Sequence, residues 1–160
     1  MPRLLLPFHA PLLPLVLLLC APAPSRADAP AGTFSIAAYD PATGEAGVAV
    51  QSRVFGVGPR VAWVRGGAGA IATQAMSNES FGPAGLDLLA SGRSAEETLE
   101  LLLSPDPERN RRQVGIVDAR GGVANWTGPG CMSWAGDSAG SGFTCQGNIL
   151  VRAEVVQGMA

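Results

Sequence analysis

The chain has 160 residues, of which 47% are hydrophobic and 15% are charged, a composition typical of one folded domain and not of a disordered chain. Its 21 glycines and 13 prolines indicate many turns, which argues against a helical bundle or a coiled coil. The formal net charge of -2 supplies no basic surface, so we expect no nucleic-acid partner.

The N-terminus has the order of a secretory signal. Arg3 is followed by an apolar stretch over residues 4–20 and then by small residues up to Ala27. We therefore predict a signal peptide over residues 1–27, a mature domain over residues 28–160, and a secreted or periplasmic location. The apolar stretch is short and broken by prolines, so we expect no stable membrane span after processing. An uncleaved anchor is the alternative.

The basic residues restrict the chemistry available to the mature chain. All 11 are arginines, and the one histidine, His9, lies in the predicted signal. The lack of histidine and lysine excludes a Ser-His-Asp triad, a Cys-His pair, a histidine-ligated metal and a lysine Schiff base, and we expect no metal and no cofactor. The remaining bases are carboxylates, Tyr39, a cysteine thiolate and the α-amine of a processed N-terminus, whose ordinary pKa is about 8.

The first half of the domain is predicted to be a run of antiparallel strands. Residues 33–40 and 47–55 are rich in β-formers, and the turn sequence Pro41–Gly44 between them predicts a hairpin. Two further strands are predicted over residues 61–64 and 68–74. The small side chains of the last strand allow two layers to pack closely.

Two helices are predicted in the middle of the chain. One covers residues 83–90, because proline favours a first helical turn. The other follows a capping box at Ser94–Glu97 and places leucines on one face of residues 98–103. The charged segment over residues 106–112 is predicted to be a solvated loop and not an arginine site.

Strands resume after this loop. They are predicted over residues 113–118, 123–126 and 143–146, with a Gly/Ser-rich loop over residues 128–142 and the start of a helix at residues 154–159. This order gives an α+β fold in which two antiparallel sheets are covered by helices. Because the sequence stops in the first turns of a helix, we expect the domain to be truncated at its C-terminus.

Cys131 and Cys145 flank the long loop and are the cysteines that would remain after export. A bridge between them would close about 15 residues and contribute roughly 3 kcal/mol in the entropic description. A Cys131–Cys145 disulfide is one prediction, and two partly buried thiols are the alternative. A thiol nucleophile is disfavoured, because no histidine or lysine is present to lower its pKa.

Thr33 opens the first predicted strand and follows Gly32. If Thr33 became the N-terminus, its hydroxyl would be the nucleophile and its own α-amine the base. Such a site needs a cation to lower the pKa of the amine, for which Arg53 is the candidate, and donors to bind the oxyanion. The candidate donors are polar residues near strand ends, namely Gln51, Ser52, Gln74, Asn78, Gln146 and Asn148. The alternative is a structural threonine and a surface arginine.

Trp134 and Asp137 lie in the long loop and suggest a second kind of site. A tryptophan there can stack on a sugar or another ring, which would suit a binding module for a cell-wall fragment or a small polar ligand. The alternative is that Trp126 and Trp134 are core residues.

Several blocks of the mature chain together resemble the family called domain of unknown function 1028. These blocks are Thr33–Asp40, Gly47–Arg53, Ala72–Gln74, Phe81–Pro83, Trp134–Gly136 and Gln146–Leu150. The resemblance implies a place among the N-terminal nucleophile (Ntn) hydrolases, whose fold is a four-layer αββα sandwich of antiparallel sheets. The family is normally longer at its C-terminus. Some relatives carry a peptidoglycan-binding domain, which implies a cell-wall amide or peptide as the substrate class.

The resemblance also implies a set of catalytic residues. Ntn hydrolases use an N-terminal Thr, Ser or Cys, and Thr33 stands at the matching start of the first strand. A lysine lowers the pKa of the amine in proteasome-like members, and Arg53 would take that place here. Among the candidate donors named above from their positions near strand ends, Asn148 is our predicted catalytic donor. The expected function is an exported amidohydrolase acting on a small-molecule or peptide substrate, such as a peptidoglycan fragment. The alternatives are a non-catalytic binding module on the same fold and a truncated, inactive remnant.

Overall fold

The computed structural model describes residues 32–160, so the predicted signal peptide lies outside the described residues. Within them, eight strands form two four-stranded antiparallel sheets. The strands are β1 (Thr33–Tyr39), β2 (Ala46–Ser52), β3 (Ala62–Arg65), β4 (Gly69–Ala75), β5 (Arg112–Asp118), β6 (Val123–Thr127), β7 (Gly136–Gly140) and β8 (Phe143–Asn148). The first sheet has the order β2-β1-β8-β7, and the second has the order β3-β4-β5-β6.

The predicted hairpin at the start of the domain is confirmed. Strands β1 and β2 pair in antiparallel register from Thr33 opposite Ser52 to Tyr39 opposite Ala46. The other edge of β1 pairs with β8, where Thr33 lies opposite Asn148. Strand β1 is therefore central in its sheet, and Thr33 lies at its end between two neighbouring strands.

Four helices accompany the sheets within the described residues. They are α1 (Gly58–Val61), α2 (Phe81–Ala90), α3 (Ala95–Leu103) and α4 (Glu154–Gln157). The predicted capping box begins α3, since the Ser94 hydroxyl accepts from the Glu97 amide and the Glu97 carboxylate accepts from the Ser94 amide. Helix α2 begins at Phe81, two residues before the proline that was expected to start it. None of the described helices is long and apolar enough to cross a membrane.

The main hydrophobic core lies between the second sheet and the pair α2–α3. Alternation along β4 and β5 directs Ile71, Val114 and Ile116 towards the helices, where they meet Leu86 and Leu102. All five side chains are buried. Burying an aliphatic side chain of this size contributes roughly 1.5–3 kcal/mol each, so this layer supplies much of the stability of the fold.

The space between the two sheets is narrow and polar. Ala37, Ala70 and Val117 form a small apolar cluster at one end of it. Further along, a side chain on Gly115 would overlap the amide group of Gln146, so the two sheets approach closely only because position 115 carries glycine. The architecture is an α+β sandwich of two antiparallel sheets, with α2 and α3 on one outer face and α4 against β7 and β8.

The long loop predicted over residues 128–142 contains a strand that the prediction missed. Strand β7, with the sequence Gly-Asp-Ser-Ala-Gly, forms the edge of the first sheet and pairs with β8 from Gly136 opposite Gly147 to Gly140 opposite Phe143. These residues have low intrinsic β propensity. Strand β7 therefore forms because its backbone pairs with that of β8, and its own composition does not predict a strand.

The predicted disulfide is wrong, because Cys131 and Cys145 are both free thiols. Cys145 is fully buried in β8, on the face turned away from the second sheet. The sulfur of Cys131 donates to the carbonyl of Arg112, on β5 of the second sheet, over 3.3 Å. The Cys131 sulfur thus contacts the second sheet from the loop before β7, whereas Cys145 lies in the first sheet and points away from the second.

Candidate active site

The hydroxyl of Thr33 lies in a chain of hydrogen bonds at the end of β1. The side chain of Thr33 is buried, and its Oγ1 lies 2.9 Å from Oγ of Ser52 on β2. The Ser52 hydroxyl donates to the carbonyl oxygen of Gly32 over 3.3 Å and accepts from the amide of Val54 over 3.0 Å. Either hydroxyl can donate in the Thr33–Ser52 contact, and when the single proton of Ser52 points to Gly32, Thr33 is the donor to Ser52.

Asn148 faces Thr33 from β8 and is held by Gln113 of the second sheet. Its Nδ2 donates to Oε1 of Gln113 over 3.0 Å, and both side chains are buried. The Gln113 amide has one orientation, because its Nε2 donates to the carbonyl of Gly147 over 2.8 Å and to Thr127 Oγ1 over 2.9 Å. Gln113 therefore fixes the orientation of Asn148.

A ring of buried amides and hydroxyls extends this network between the sheets. Ser35 Oγ donates to Gln74 Oε1 over 2.8 Å, and Gln146 Nε2 donates to Ser35 Oγ over 2.7 Å. Gln74 Nε2 in turn donates to Gln113 Oε1 over 2.8 Å. Of the predicted donors, Gln74 thus joins the two sheets, because its side chain bonds to Ser35 and to the backbone carbonyl of Gln146 in the first sheet. The Gln146 side chain bonds to Ser35 and Thr144 within the first sheet.

A cavity of about 380 Å³ opens beside Thr33, which is within the usual size range of small-molecule sites. Its lining comes from both sheets and from the loops that follow them, namely Thr33, Val54, Ala75, Met76, Arg111, Gly130, Cys131, Met132, Asn148 and Ile149. A smaller cavity of about 110 Å³ also borders Thr33 and reaches Gln74. Thr33 and Asn148 are thus the two predicted catalytic residues that share one cavity.

Two residues in the wall of the larger cavity have an unusual backbone. Ala75 has a φ of 66° and Ile149 a φ of 56°, values that residues with a side chain seldom adopt and that β-branched residues avoid. Each directly follows a predicted site residue, Gln74 and Asn148 respectively. Backbone strain of this kind concentrates at functional sites, where the surrounding structure holds it in place.

Three of the predicted site residues lie elsewhere. Gln51 is exposed on β2, on the face opposite to its neighbour Ser52. Arg53 is exposed directly after β2 and is not among the residues that line the Thr33 cavity. Asn78 precedes α2, where its Oδ1 accepts from the amide and the hydroxyl of Ser80, so its carbonyl stabilises the start of that helix.

Trp134 and Asp137, the two residues predicted to bind a ligand from the long loop, do not line the cavity beside Thr33. The Trp134 ring is half-buried and packs over Gly136, and Asp137 is exposed on β7 and accepts from the hydroxyl of Thr127. Trp126 packs against the hydrophobic core and donates from Nε1 to the carbonyl of Arg109 over 2.9 Å. The core interpretation is therefore the one that fits Trp126.

The sequence analysis missed Arg111, which lies in the segment predicted to be a solvated loop. A short 3₁₀ turn over Arg109–Arg111 directs it to the cavity, where its Nη1 lies 3.0 Å from a carboxylate oxygen of Glu108. A side chain added at Gly130 would lie 3.2 Å from Cγ of Arg111, so the glycine makes room for the arginine stem. The one available signal was the cluster of three arginines in this short segment.

The next arginine, Arg112, holds one wall of the cavity. It forms a two-point ion pair with Asp106 at 2.7 and 3.2 Å and donates to the carbonyl oxygen of Met76. Both side chains of the pair are largely buried, and the Arg112 guanidinium holds the pKa of the Asp106 carboxyl below its ordinary value. This pair connects the loop after α3 to the segment Ala75–Met76 at the edge of the cavity.

The remaining reactive group in the cavity is a thiol. Burial raises the pKa of Cys131, so the group stays protonated at neutral pH and is a poor nucleophile. The described residues contain no group of three His, Cys, Asp or Glu side chains that could hold a metal ion. Among the described residues that line this cavity, Thr33 is the one that carries a hydroxyl group.

The chain belongs to DUF1028, a family of unknown function whose model matches residues 33–160, as its sequence blocks indicated. It is also similar to the crystal structure of protein SPO2555 from Silicibacter pomeroyi, a DUF1028 protein. The two chains are 31% identical and superpose with a TM-score of 0.77 over 80% of this chain. This chain spans 59% of the length of that one. No curated protein matches it.

Proposed function

We propose that this protein is an Ntn-type hydrolase that cleaves an amide or peptide bond with Thr33 as its N-terminal nucleophile. The observation that carries the proposal is the buried Thr33 hydroxyl, placed at the end of a central strand and on the wall of a cavity that Asn148 shares. The sandwich of two antiparallel sheets and the family membership support an αββα arrangement of the Ntn type.

The proposed reaction has two steps. The α-amine of a processed Thr33 takes the proton of its own hydroxyl, and Oγ1 attacks the carbonyl carbon of the substrate amide. The carbon–nitrogen bond breaks, the amine leaves with the proton, and an ester to Thr33 remains. Water then attacks the ester carbon and releases the acid. The free N–H of Asn148 is the proposed donor to the oxyanion in both steps.

Removal of the chain before Thr33 is part of the proposal. The Ser52 hydroxyl donates to the carbonyl oxygen of Gly32, the group that Thr33 would have to leave. This hydrogen bond polarises the Gly32 carbonyl, and the Thr33 hydroxyl forms a hydrogen bond with the same Ser52 hydroxyl. The contacts thus favour Ser52 as a donor during an internal acyl shift between Gly32 and Thr33.

The cation proposed for this site, Arg53, has only a small effect on the pKa of the Thr33 amine. Arg53 directly follows Ser52 and is exposed, so water and salt screen its effect on the pKa of the Thr33 amine. Arginine supplies charge but does not exchange a proton at neutral pH. The α-amine therefore has to act near its ordinary pKa of about 8, and the rate should rise through that pH range.

The substrate class that we propose is an amide or peptide outside the cytoplasm, with peptidoglycan fragments as the first candidates. The test is release of free amines from such amides by the exported protein. We expect Thr33→Ala to lower the rate at least about a thousandfold, and Thr33→Ser to retain measurable activity because the hydroxyl nucleophile remains.

Thr43→Ala is the matched control, since Thr43 is an exposed threonine in the turn between β1 and β2. Its rate should equal that of the wild type. Equal rates for wild type and Thr33→Ala would contradict the proposal. Binding without turnover in both proteins would favour the non-catalytic binding module instead.

A further inference from the structure

Apolar side chains gather around the cavity beside Thr33. Among the described residues, seven large hydrophobic side chains are exposed, and three of them, Val54, Met76 and Met132, line this one cavity. Phe55, which directly follows Val54, is fully exposed. Exposed apolar side chains collected at one concave place mark a site where an apolar group leaves water.

Arg111 gives the same cavity a positive charge. It is the one charged residue among the described residues that line the cavity, and no carboxylate lines it. The guanidinium has five N–H donors, and the hydrogen bond to Glu108 engages Nη1 alone. The remaining donors suit the planar, two-oxygen geometry of a carboxylate.

We propose that this cavity takes an N-acylated substrate that carries a carboxylate, with the apolar acyl chain against Val54, Met76 and Met132 and the carboxylate on Arg111. The proposal rests on the proposed function, because it names the substrate class of the Thr33 site. Thr33 faces the amide that joins the two groups. The site then selects amides by the length and polarity of the acyl chain and by the charge on the amine product that leaves.

The test is binding to the full chain carrying Thr33→Ala, in which turnover is removed. The probes are N-hexanoylglycine, its neutral amide N-hexanoylglycinamide, and N-acetylglycine. We expect N-hexanoylglycine to bind about fivefold more tightly than the neutral amide, because Arg111 is half-exposed and its ion pair is screened. This preference should shrink in about 0.5 M salt. N-Hexanoylglycine should bind more than about tenfold more tightly than N-acetylglycine, because four methylenes leave water.

Arg111→Gln should abolish the preference for the carboxylate. Arg93→Gln is the matched control, because Arg93 forms an ion pair with Glu97 at nearly the same exposure, 54% against 53% for Arg111, and does not line the cavity. The control should keep the full preference. Binding to the wild-type chain, with cleavage followed by mass spectrometry, gives the same comparison if Thr33→Ala does not fold.

Equal affinity for N-hexanoylglycine and its neutral amide would overturn the inference, and so would an Arg111→Gln chain that keeps the preference or a wild type that binds no probe. Failure of the hydrolase proposal has a different signature. In that case N-hexanoylglycine binds through Arg111 and no amide is cleaved by the wild type.

Discussion

Gln113 and Thr73 are both fully buried on adjacent strands, yet we expect their replacement to change stability in opposite directions. The side-chain oxygen of Gln113 accepts from Gln74 and Asn148, and its nitrogen donates to Thr127 and to two backbone carbonyls. The Thr73 hydroxyl has no hydrogen-bond partner among the described residues. The two positions therefore differ in what a hydrocarbon side chain would leave unpaired.

The magnitude follows from the partners. Gln113→Leu removes five hydrogen bonds, but Gln74 and Thr127 each keep another partner. The side chain of Asn148 and the Gly147 carbonyl lose most, and each unpaired buried group costs about 1–3 kcal/mol. We expect a loss of about 4 kcal/mol, a large part of the 5–15 kcal/mol typical of a domain. Thr73→Val exchanges an unpaired hydroxyl for a methyl group and should add about 1 kcal/mol.

The assay is urea unfolding followed by tryptophan fluorescence, with the free energy of unfolding and its urea dependence compared among wild type and both variants. A Gln113→Leu protein that loses less than about 1 kcal/mol would refute the reasoning. So would a Thr73→Val protein that is less stable than the wild type. The first result would mean that the amide layer does not hold the two sheets together, and the second would mean that the Thr73 hydroxyl has a partner in the folded protein.

Three further predictions concern the cavity wall and the thiols. In the chain that still carries Gly32, before Thr33 is freed, Gly32→Ala should lower the thermal midpoint, since an added methyl lies 2.8 Å from a backbone carbonyl oxygen, whereas Gly47→Ala meets no atom within 4 Å and should not. Asp106→Asn should destabilise at pH 7, and its effect should shrink as the pH falls below about 3.9. Arg112 lowers the pKa of Asp106, so the ion pair stabilises the fold fully above the unfolded pKa of about 3.9 and loses its contribution as the pH falls through the folded pKa. Stability–pH profiles of wild type and Asp106→Asn that run parallel would contradict this. Alkylation of the unfolded, unreduced protein should label both described cysteines. If the two thiols react only after reduction, the disulfide prediction is correct after all.

Local patterns in the sequence predicted the elements that local chemistry determines. The hairpin around Pro41–Gly44 and the capping box at Ser94–Glu97 each depend on residues within a few positions of one another. Strand β7 depends on a partner strand, and its glycines and serine carry no strand signal. It could not be found from its own composition.

The candidate site shows the same limit. Neighbouring residues of a strand point to opposite faces, so Gln51 and Ser52 on β2 cannot both face the site. One of these two predicted donors could therefore have been excluded by sequence reasoning alone. The pairing of Asn148 with Gln113 depends on two sheets meeting across 35 positions of sequence, and nothing near Gln113 indicates it. Arg111 reaches the cavity through a 3₁₀ turn that its charged segment did not suggest.

The central claim is that Thr33 is freed to act as an N-terminal nucleophile, and the mature N-terminus tests it most directly. Intact mass and N-terminal sequencing of the protein purified after expression of the full 160-residue sequence should show a chain that begins at Thr33. The Thr33→Ala protein should keep residues before position 33, and Ser52→Ala should slow their removal, because Ser52 donates to the Gly32 carbonyl. A wild-type chain that retains Gly32, with the same mass pattern in Thr33→Ala, would contradict the account.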